Sequence, residues 1–372
     1  MSFMKPKQTP SRTVPSARGF MVRLWLAVLV LNLGLIGFAV WALQQSRQQF
    51  EQIAAVTADN LSRLMEHDIT ASVRVIDLAL QSLAEAIEQQ GPLRAGDTRE
   101  LNALLKRKLT QLPELDGLRV TDAQGVLTHG TLVNPQSRLS IADRDYFILL
   151  RERPGAGLVI SSPIQGRITG RWVINFSRAL RHRDGSFAGV VQGSVPLSHF
   201  IEQFIPLQVG MKGSFTLFDQ KFRLVVRHPT PVGTSNAVGM PFGSPELREL
   251  VNSGRSEGIY KARSIIDNIE RISAFRHITG TQFYLVLGMA SDDYLAGWQE
   301  EKYKALTVVL LFILTSLAVC YLIQRAWRNQ SAAVRALEHA YRTLDVERQL
   351  NQTIIRSSPF AIYTRDRRGV VT

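Results

Sequence analysis

Residues 24–43 read LWLAVLVLNLGLIGFAVWAL and residues 305–323 read ALTVVLLFILTSLAVCYLI, runs of 20 and 19 residues without a charge. A helix rises about 1.5 Å per residue, so each run covers roughly 30 Å, the thickness of a bilayer's hydrocarbon core. Buried helices of soluble domains are usually shorter or broken by polar groups. Two transmembrane helices are therefore predicted, with the lipid bilayer as a partner and a long middle region, residues 44–304, held between them.

Charge sets the expected orientation. Residues 1–23 carry five basic groups (Lys5, Lys7, Arg12, Arg18 and Arg23) and no acid, while residues 324–372 carry nine Arg against four acids. These flanks hold +10 of the chain's net +13, and the 261 residues from 44 to 304 balance 30 bases against 27 acids. The positive-inside rule then predicts both termini in the cytoplasm and residues 44–304 in the periplasm, the chain being a multi-pass protein of the bacterial inner membrane. With the basic surplus assigned to topology, a nucleic-acid partner loses its support. A basic stretch before the first run also suits a signal peptide. The run is too long for an h-region, though, and Ala39 and Ala42 are wrongly spaced for cleavage, with Trp41 bulky between them, so an uncleaved anchor is expected. The only cysteine, Cys320, falls inside the second run, so the exported region must hold together without a disulfide.

Helical periodicity continues beyond the first run. Phe50, Ala54, Thr57, Leu61 and Leu64 form one stripe, and Ile69, Val73, Ile76, Leu80, Leu83 and Ile87 another after a shift near Met65. One long helix with a stutter is predicted. From about residue 118 the period becomes strand-like. A hairpin over 117–120 and 126–129 precedes a helix over 143–153 with Asp143 as N-cap. Strands over 157–161, 171–178 and 186–195 come next, the last two joined through Asp184-Gly185. After an amphipathic segment, 200–204, a second set is predicted at 214–218, 224–227, 258–266, 270–277 and 282–289, with Asp267-Asn268 as a tight turn. Residues 324–357 lack Pro and Gly. Val334, Leu337, Tyr341 and Leu344 keep a heptad seam there, which predicts a parallel coiled coil and hence a homodimer. The helix must stop before Pro359. Residues 359–372 are too short to bury a core and read as the start of a domain that continues past the chain.

Several short pieces carry a family resemblance: Ile141-Ala-Asp-Arg-Asp-Tyr-Phe147, Ala156-Gly-Leu-Val-Ile-Ser-Ser-Pro163, Gly170-Arg-Trp-Val-Ile174 and Asp184-Gly-Ser-Phe-Ala-Gly-Val-Val191. Ile266-Asp-Asn-Ile-Glu-Arg-Ile272 and Asp293-Tyr-Leu-Ala-Gly-Trp298 add to them. In this order and spacing, residues 44–304 resemble the double Cache sensor regions of bacterial membrane receptors. Ser357-Ser-Pro-Phe-Ala-Ile-Tyr-Thr-Arg-Asp-Arg-Arg-Gly369 resembles the opening of a PAS domain. The resemblance implies an α+β fold: a long helix (44–90), then two tandem PAS-like antiparallel-sheet modules, membrane-distal (91–200) and membrane-proximal (201–304). A cytoplasmic signalling helix (324–358) and a truncated PAS start (359–372) complete the expected organisation.

In such sensors the distal module holds a small ligand. One subgroup binds amino acids through an Arg, a following aromatic pair and an Asp late in the sheet. Carried over, the Arg is Arg144, the aromatic pair is Tyr146-Phe147 and the Asp position falls on Ser194. A ligand ammonium then lacks that carboxylate, and the form looks closer to sensors of small carboxylates, which an Arg fork holds bidentately.

Arg144 begins a helix, where backbone N–H groups also favour an anion. Arg171 and Asn175 share a strand face, with Ser177, Gln192 and Ser194 as neutral contacts and Trp172, Ile174 and Phe176 facing the other layer. Plainer readings stand beside these. Arg144 could simply pair with Asp143 or Glu152, Arg171 could be a surface cation, and Tyr146 and Phe147 could be core.

No His-Glu-x-x-His, Gly-x-Ser-x-Gly or phosphate loop occurs in the exported part, so no catalytic residue and no cofactor is expected. The seven His are scattered, His228 and His277 at predicted strand ends, and no metal site is expected. The sequence thus reads as a receptor for a small-molecule ligand. Its expected output is a diguanylate cyclase working through cyclic-di-GMP, sometimes paired with a phosphodiesterase; a histidine kinase is the alternative. A chemoreceptor would continue as a long coiled coil where this chain has Pro359. A purely structural or partner-binding membrane protein, or an envelope hydrolase, are the rival classes.

Overall fold

The computed structural model describes residues 17–90, 98–230 and 237–357. Most of the basic N-terminal tail and the PAS-like start at 359–372 lie outside them. The chain divides into two compact units, residues 45–299 and the flanks before and after.

In the flanking unit, helix α1 (Ala17–Gln90) contributes its first turns and α7 (Ala296–Ser357) most of its length. Both are long and apolar enough to cross a membrane. They pack antiparallel: Phe20 stacks on Trp327 with centroids 4.9 Å apart, and Trp25 Nε1 donates to Gln324 Oε1 at 3.3 Å. Asn32, the one amide in its run, donates to Ser316 Oγ at 3.0 Å and to Val28 O at 2.8 Å. An amide in an apolar helix needs such partners.

The larger unit is α+β, with two antiparallel sheets along the rest of α1. Helix α2 (Thr98–Leu109) leads into β1 (Gly117–Thr121) and β2 (Leu127–Gly130). Helix α3 (Asp145–Glu152) precedes the short β3 (Val159–Ile160) and β4 (Ile164–Gln165), then the long β5 (Trp172–Arg181) and β6 (Phe187–Pro196). The strand order is β2-β1-β6-β5-β3, with β4 also on β5. Helix α4 (Leu197–Phe204) connects to a second sheet of β7 (Ser214–Asp219), β8 (Leu224–His228), β9 (Glu257–Arg263), β10 (Glu270–His277) and β11 (Phe283–Ala290), ordered β8-β7-β11-β10-β9. Helix α5 (Pro245–Asn252) precedes β9, and one turn, α6 (Ser291–Tyr294), comes after β11.

One core runs along α1 from Ala58 to Ile87. Met65, Ile69, Val73, Ile76, Leu80, Leu83 and Ile87 pack with Leu118, Ile174, Phe176 and Val191 of the first sheet and with Phe215, Leu217, Ala274 and Leu285 of the second. The opposite face of each sheet has a core of its own, around Phe147 and Leu150 in the first and Phe222, Leu247 and Phe275 in the second.

Several sequence expectations are corrected. The α1 stripe has no shift near Met65: it is Ala54, Ala58, Ser62, Met65, Ile69 and onward, while Leu64 is 58% exposed. Ser62 belongs to it because its hydroxyl meets Arg276 Nε of β10 at 3.1 Å, and Arg276 also donates to Asp59 at 2.6 Å and to Glu257. A buried guanidinium thus takes the place an apolar side chain would fill. Helix α3 starts two residues late: Arg144 is its N-cap, without a side-chain cap bond, and Asp143 pairs with Arg167 instead. Residues 157–161 give only a two-residue strand, and 258–266 ends at Arg263 because Ser264 to Ile269 close the Asp267-Asn268 turn, with Asn268 at φ 57°. Helices α2 and α5 have no counterpart in the sequence reading.

Candidate functional site

The cavity in the first sheet's module arises from strand register. Across β1, β6 and β5, Arg119 lies opposite Gln192 and Gln192 opposite Ser177; one row on, Gly117 lies opposite Ser194 and Ser194 opposite Asn175. Directly paired residues share a sheet face, so these side chains all stand on the face away from α1. Above them sits α3 with the loop 166–169, and between is an open cavity of about 400 Å³.

Arg144, Tyr146, Asn175, Gln192 and Ser194 all line it. The other expected residues do not. Phe147 is fully buried in the outer core, edge-on to Phe187 at 5.5 Å, because it sits one helix position beyond Tyr146 and faces the other way. Ser177 is fully buried and does not line the cavity, although it pairs across the strands with Gln192, which does. Arg171 stands outside, 58% exposed, with Nη2 at 3.1 Å from Asp116 Oδ2. Arg144 pairs with neither Asp143 nor Glu152; its Nη2 donates to Gln165 O at 3.1 Å.

Two further lining residues, Asp116 and Arg119, escape sequence reading. Arg119 is 5% exposed, its Nη1 at 2.9 Å from Ser194 Oγ and 4.0 Å from Asp116 Oδ1, its Nε at 3.3 Å from Thr131 O. Gly117 makes room for it: a Cβ there would come within 2.6 Å of the guanidinium. The signal was an Arg between Leu118 and Val120 in a strand covered on both faces. Burial pulls the Arg119 pKa down, opposed by the charge of Asp116. Arg remains charged at neutral pH regardless.

Burial pushes the Tyr146 phenol up, against the hydrogen bond from Asn175 Nδ2 at 3.0 Å and the charges of Arg144 and Arg167. The phenol is therefore neutral and keeps its O–H to donate. Asp116 Oδ1, Asn175 Oδ1 and Gln192 Oε1 are buried without a hydrogen-bond partner among the described residues. The cavity wall thus presents three guanidiniums, Arg119, Arg144 and the Asp143-paired Arg167, and a phenol as donors beside three unsatisfied acceptors. Such a wall offers both donors and acceptors to a small polar molecule. Among the described residues no cluster of three His, Cys, Asp or Glu is placed to hold a metal.

Fold and cavity together define an extracellular sensor domain of a membrane-bound signal-transduction receptor. A family model of the Cache domain matches residues 39–298, and the chain belongs to that family. Among solved structures it is similar to the extracellular domain of rpHK1S-Z16, described as a histidine kinase. That match has 26% identity and a TM-score of 0.57, covering 69% of this chain and 99% of that one. A methyl-accepting chemotaxis protein X shares the fold at 12% identity and a TM-score of 0.51, covering 65% of this chain and 99% of that one. No curated protein matches the sequence.

Proposed function

We propose that the chain is the sensory part of an inner-membrane receptor with cytoplasmic termini and a periplasmic region over 44–304, the distal module spanning 91–200 and the proximal one 201–304. Its ligand is a small carboxylate bearing a hydroxyl or amino group. The observation that carries this reading is the pairing of Arg119 and Arg144 with three unsatisfied acceptors around one cavity. The guanidiniums suit the carboxylate; Asp116, Asn175 and Gln192 suit the donor group. Asp116 also supplies the carboxylate that a ligand ammonium lacks at Ser194.

Binding favours one of two arrangements of α1 and α7, and residues 324–358 carry the difference, as a homodimeric coiled coil, to a cytoplasmic output domain. A ligand preferring one arrangement ~100-fold contributes about 2.7 kcal/mol, enough to move a balanced equilibrium. A diguanylate cyclase making cyclic-di-GMP is the first output we propose, suggested by the PAS-like residues 357–369. A histidine kinase is the second, favoured by the likeness to rpHK1S-Z16.

The test is a thermal-shift screen of the full chain in nanodiscs against lactate, malate, glycine and alanine. At 100 times its Kd a ligand adds about 2.7 kcal/mol to stability. Arg119→Met and Arg144→Ala should each cut the shift by half or more, since hydrogen bonds to a charged group contribute ~1.5–3 kcal/mol. A shift unchanged in both variants sinks the assignment.

A further inference from the structure

The second sheet's module has an open cavity of its own, about 440 Å³, that the reading above leaves unused. Two guanidiniums stand in its wall, Arg227 of β8 and Arg271 of β10, 7% and 2% exposed. Asp267, in the turn before β10, serves both. Its Oδ2 accepts from Arg227 Nη2 and Arg271 Nη2, each at 2.8 Å, and its Oδ1 from Arg271 Nη1 at 2.8 Å. Arg271 also donates to Lys212 O from Nε and Nη2, at 3.0 and 2.7 Å, and so is tied into the fold. Arg227 is less satisfied. It donates to Thr216 Oγ1 at 2.9 Å and to Asp267, while its Nε is buried without a partner among the described residues.

Two buried cations thus share one half-buried anion. Glu246, the other carboxylate whose charge reaches Tyr260 in this wall, is exposed. A buried charge left without its counter-ion is strongly disfavoured, and removing one net positive charge takes a single anion. Burial lowers the Arg227 pKa, the effect that such an anion would oppose. The rest of the wall sorts by chemistry: Ser244, Ser273 and the Tyr260 phenol are polar, and Phe218, Phe242 and Leu247 are apolar.

We propose that this cavity is a second ligand site, taking a small unsubstituted monocarboxylate with its carboxylate against Arg227 and its hydrocarbon end against Phe218, Phe242 and Leu247. One surplus charge and an apolar wall suit a monocarboxylate better than phosphate. The proposal does not rest on the distal reading, whose ligand carries a donor group.

The experiment is calorimetric titration of the full chain in nanodiscs with acetate, propionate, butyrate and inorganic phosphate. It compares wild type, Arg144→Ala, Arg227→Gln and Ala262→Leu, the last adding bulk to a lining residue of β9 without changing charge. At least one of the three carboxylates should bind wild type and Arg144→Ala equally, and tenfold or more weaker in Ala262→Leu and Arg227→Gln. Should Arg227→Gln fail to fold, Ala262→Leu decides alone. No carboxylate binding, binding of phosphate only, or binding untouched by Ala262→Leu overturns the proposal. Loss in Arg144→Ala also overturns it, by assigning the heat to the distal cavity.

Discussion

Asp267 bridges two guanidiniums, so its ionisation state matters to the fold. Burial alone would raise its pKa. The Arg271 hydrogen bond and the charges of Arg227 and Arg271 override this and hold the carboxyl well below the usual range. A folded-state pKa below the unfolded value of about 3.9 contributes stability above that pH, and the contribution is lost as pH falls through the folded value. Asp267→Asn should therefore cost about 3 kcal/mol at pH 7, the scale for breaking a buried pair. The gap between wild type and variant should narrow progressively as the pH is lowered from about 5 toward 2. Denaturant melts across that range check it, and a gap independent of pH would count against the account.

Individual side chains were unevenly legible. Arg144, Tyr146, Asn175, Gln192 and Ser194 could be grouped from a strand face and a helix start, and one cavity does collect them. Phe147 and Ser177 could not be separated from these, because Phe147 neighbours Tyr146 on one helix turn and Ser177 shares the sheet face of Asn175. Asp116 and Arg119 were missed for a different reason. The 117–120 hairpin strand was visible, but only the register with β6 brings Arg119 beside Ser194, 75 positions away.

Helix α1 is where local pattern and tertiary packing diverge. Its central stripe was readable as an apolar repeat, and Leu80, fully buried, is one of its anchors. Leu80→Ala should cost about 2–5 kcal/mol, measured by denaturant unfolding of the full chain. A loss below ~1 kcal/mol would mean that the core along α1 is less continuous than described. Nearer the membrane run the stripe turns small and polar, Ala54, Ala58 and Ser62, so hydrophobicity alone draws the eye to Leu61 and Leu64 instead. Helix α5 was legible in principle, since Ser244 and Pro245 give a capped start and Ser244 Oγ accepts from Leu247 N at 3.3 Å. In α2, Leu101 and Leu105 face inward one turn apart, and Asn102 Oδ1 accepts from Gly130 N at 2.8 Å, a link no local pattern announces.

At the scale of the molecule the two apolar runs were the most legible feature, because length and absence of charge survive any packing. The helix beyond the second run is less determined by one copy. Val334, Leu337, Tyr341 and Leu344 are 54–66% exposed on α7, a seam with no partner within the described residues. If two copies pair there, Leu337→Glu with Tyr341→Glu should convert a dimer to a monomer in nanodiscs, read as a halved protein mass. An unchanged mass would place any self-association elsewhere.

Asn32 and Ser316 add a constraint of their own. Axial slippage by one turn, about 5.4 Å, would bring Asn32 level with Phe312 or Cys320 and leave its amide with only the Val28 carbonyl of its own helix. Tilting about that contact leaves it intact. A rocking lever pivoted at mid-depth is thus the cheaper movement for this helix pair, and piston strokes of a full turn are the costlier one.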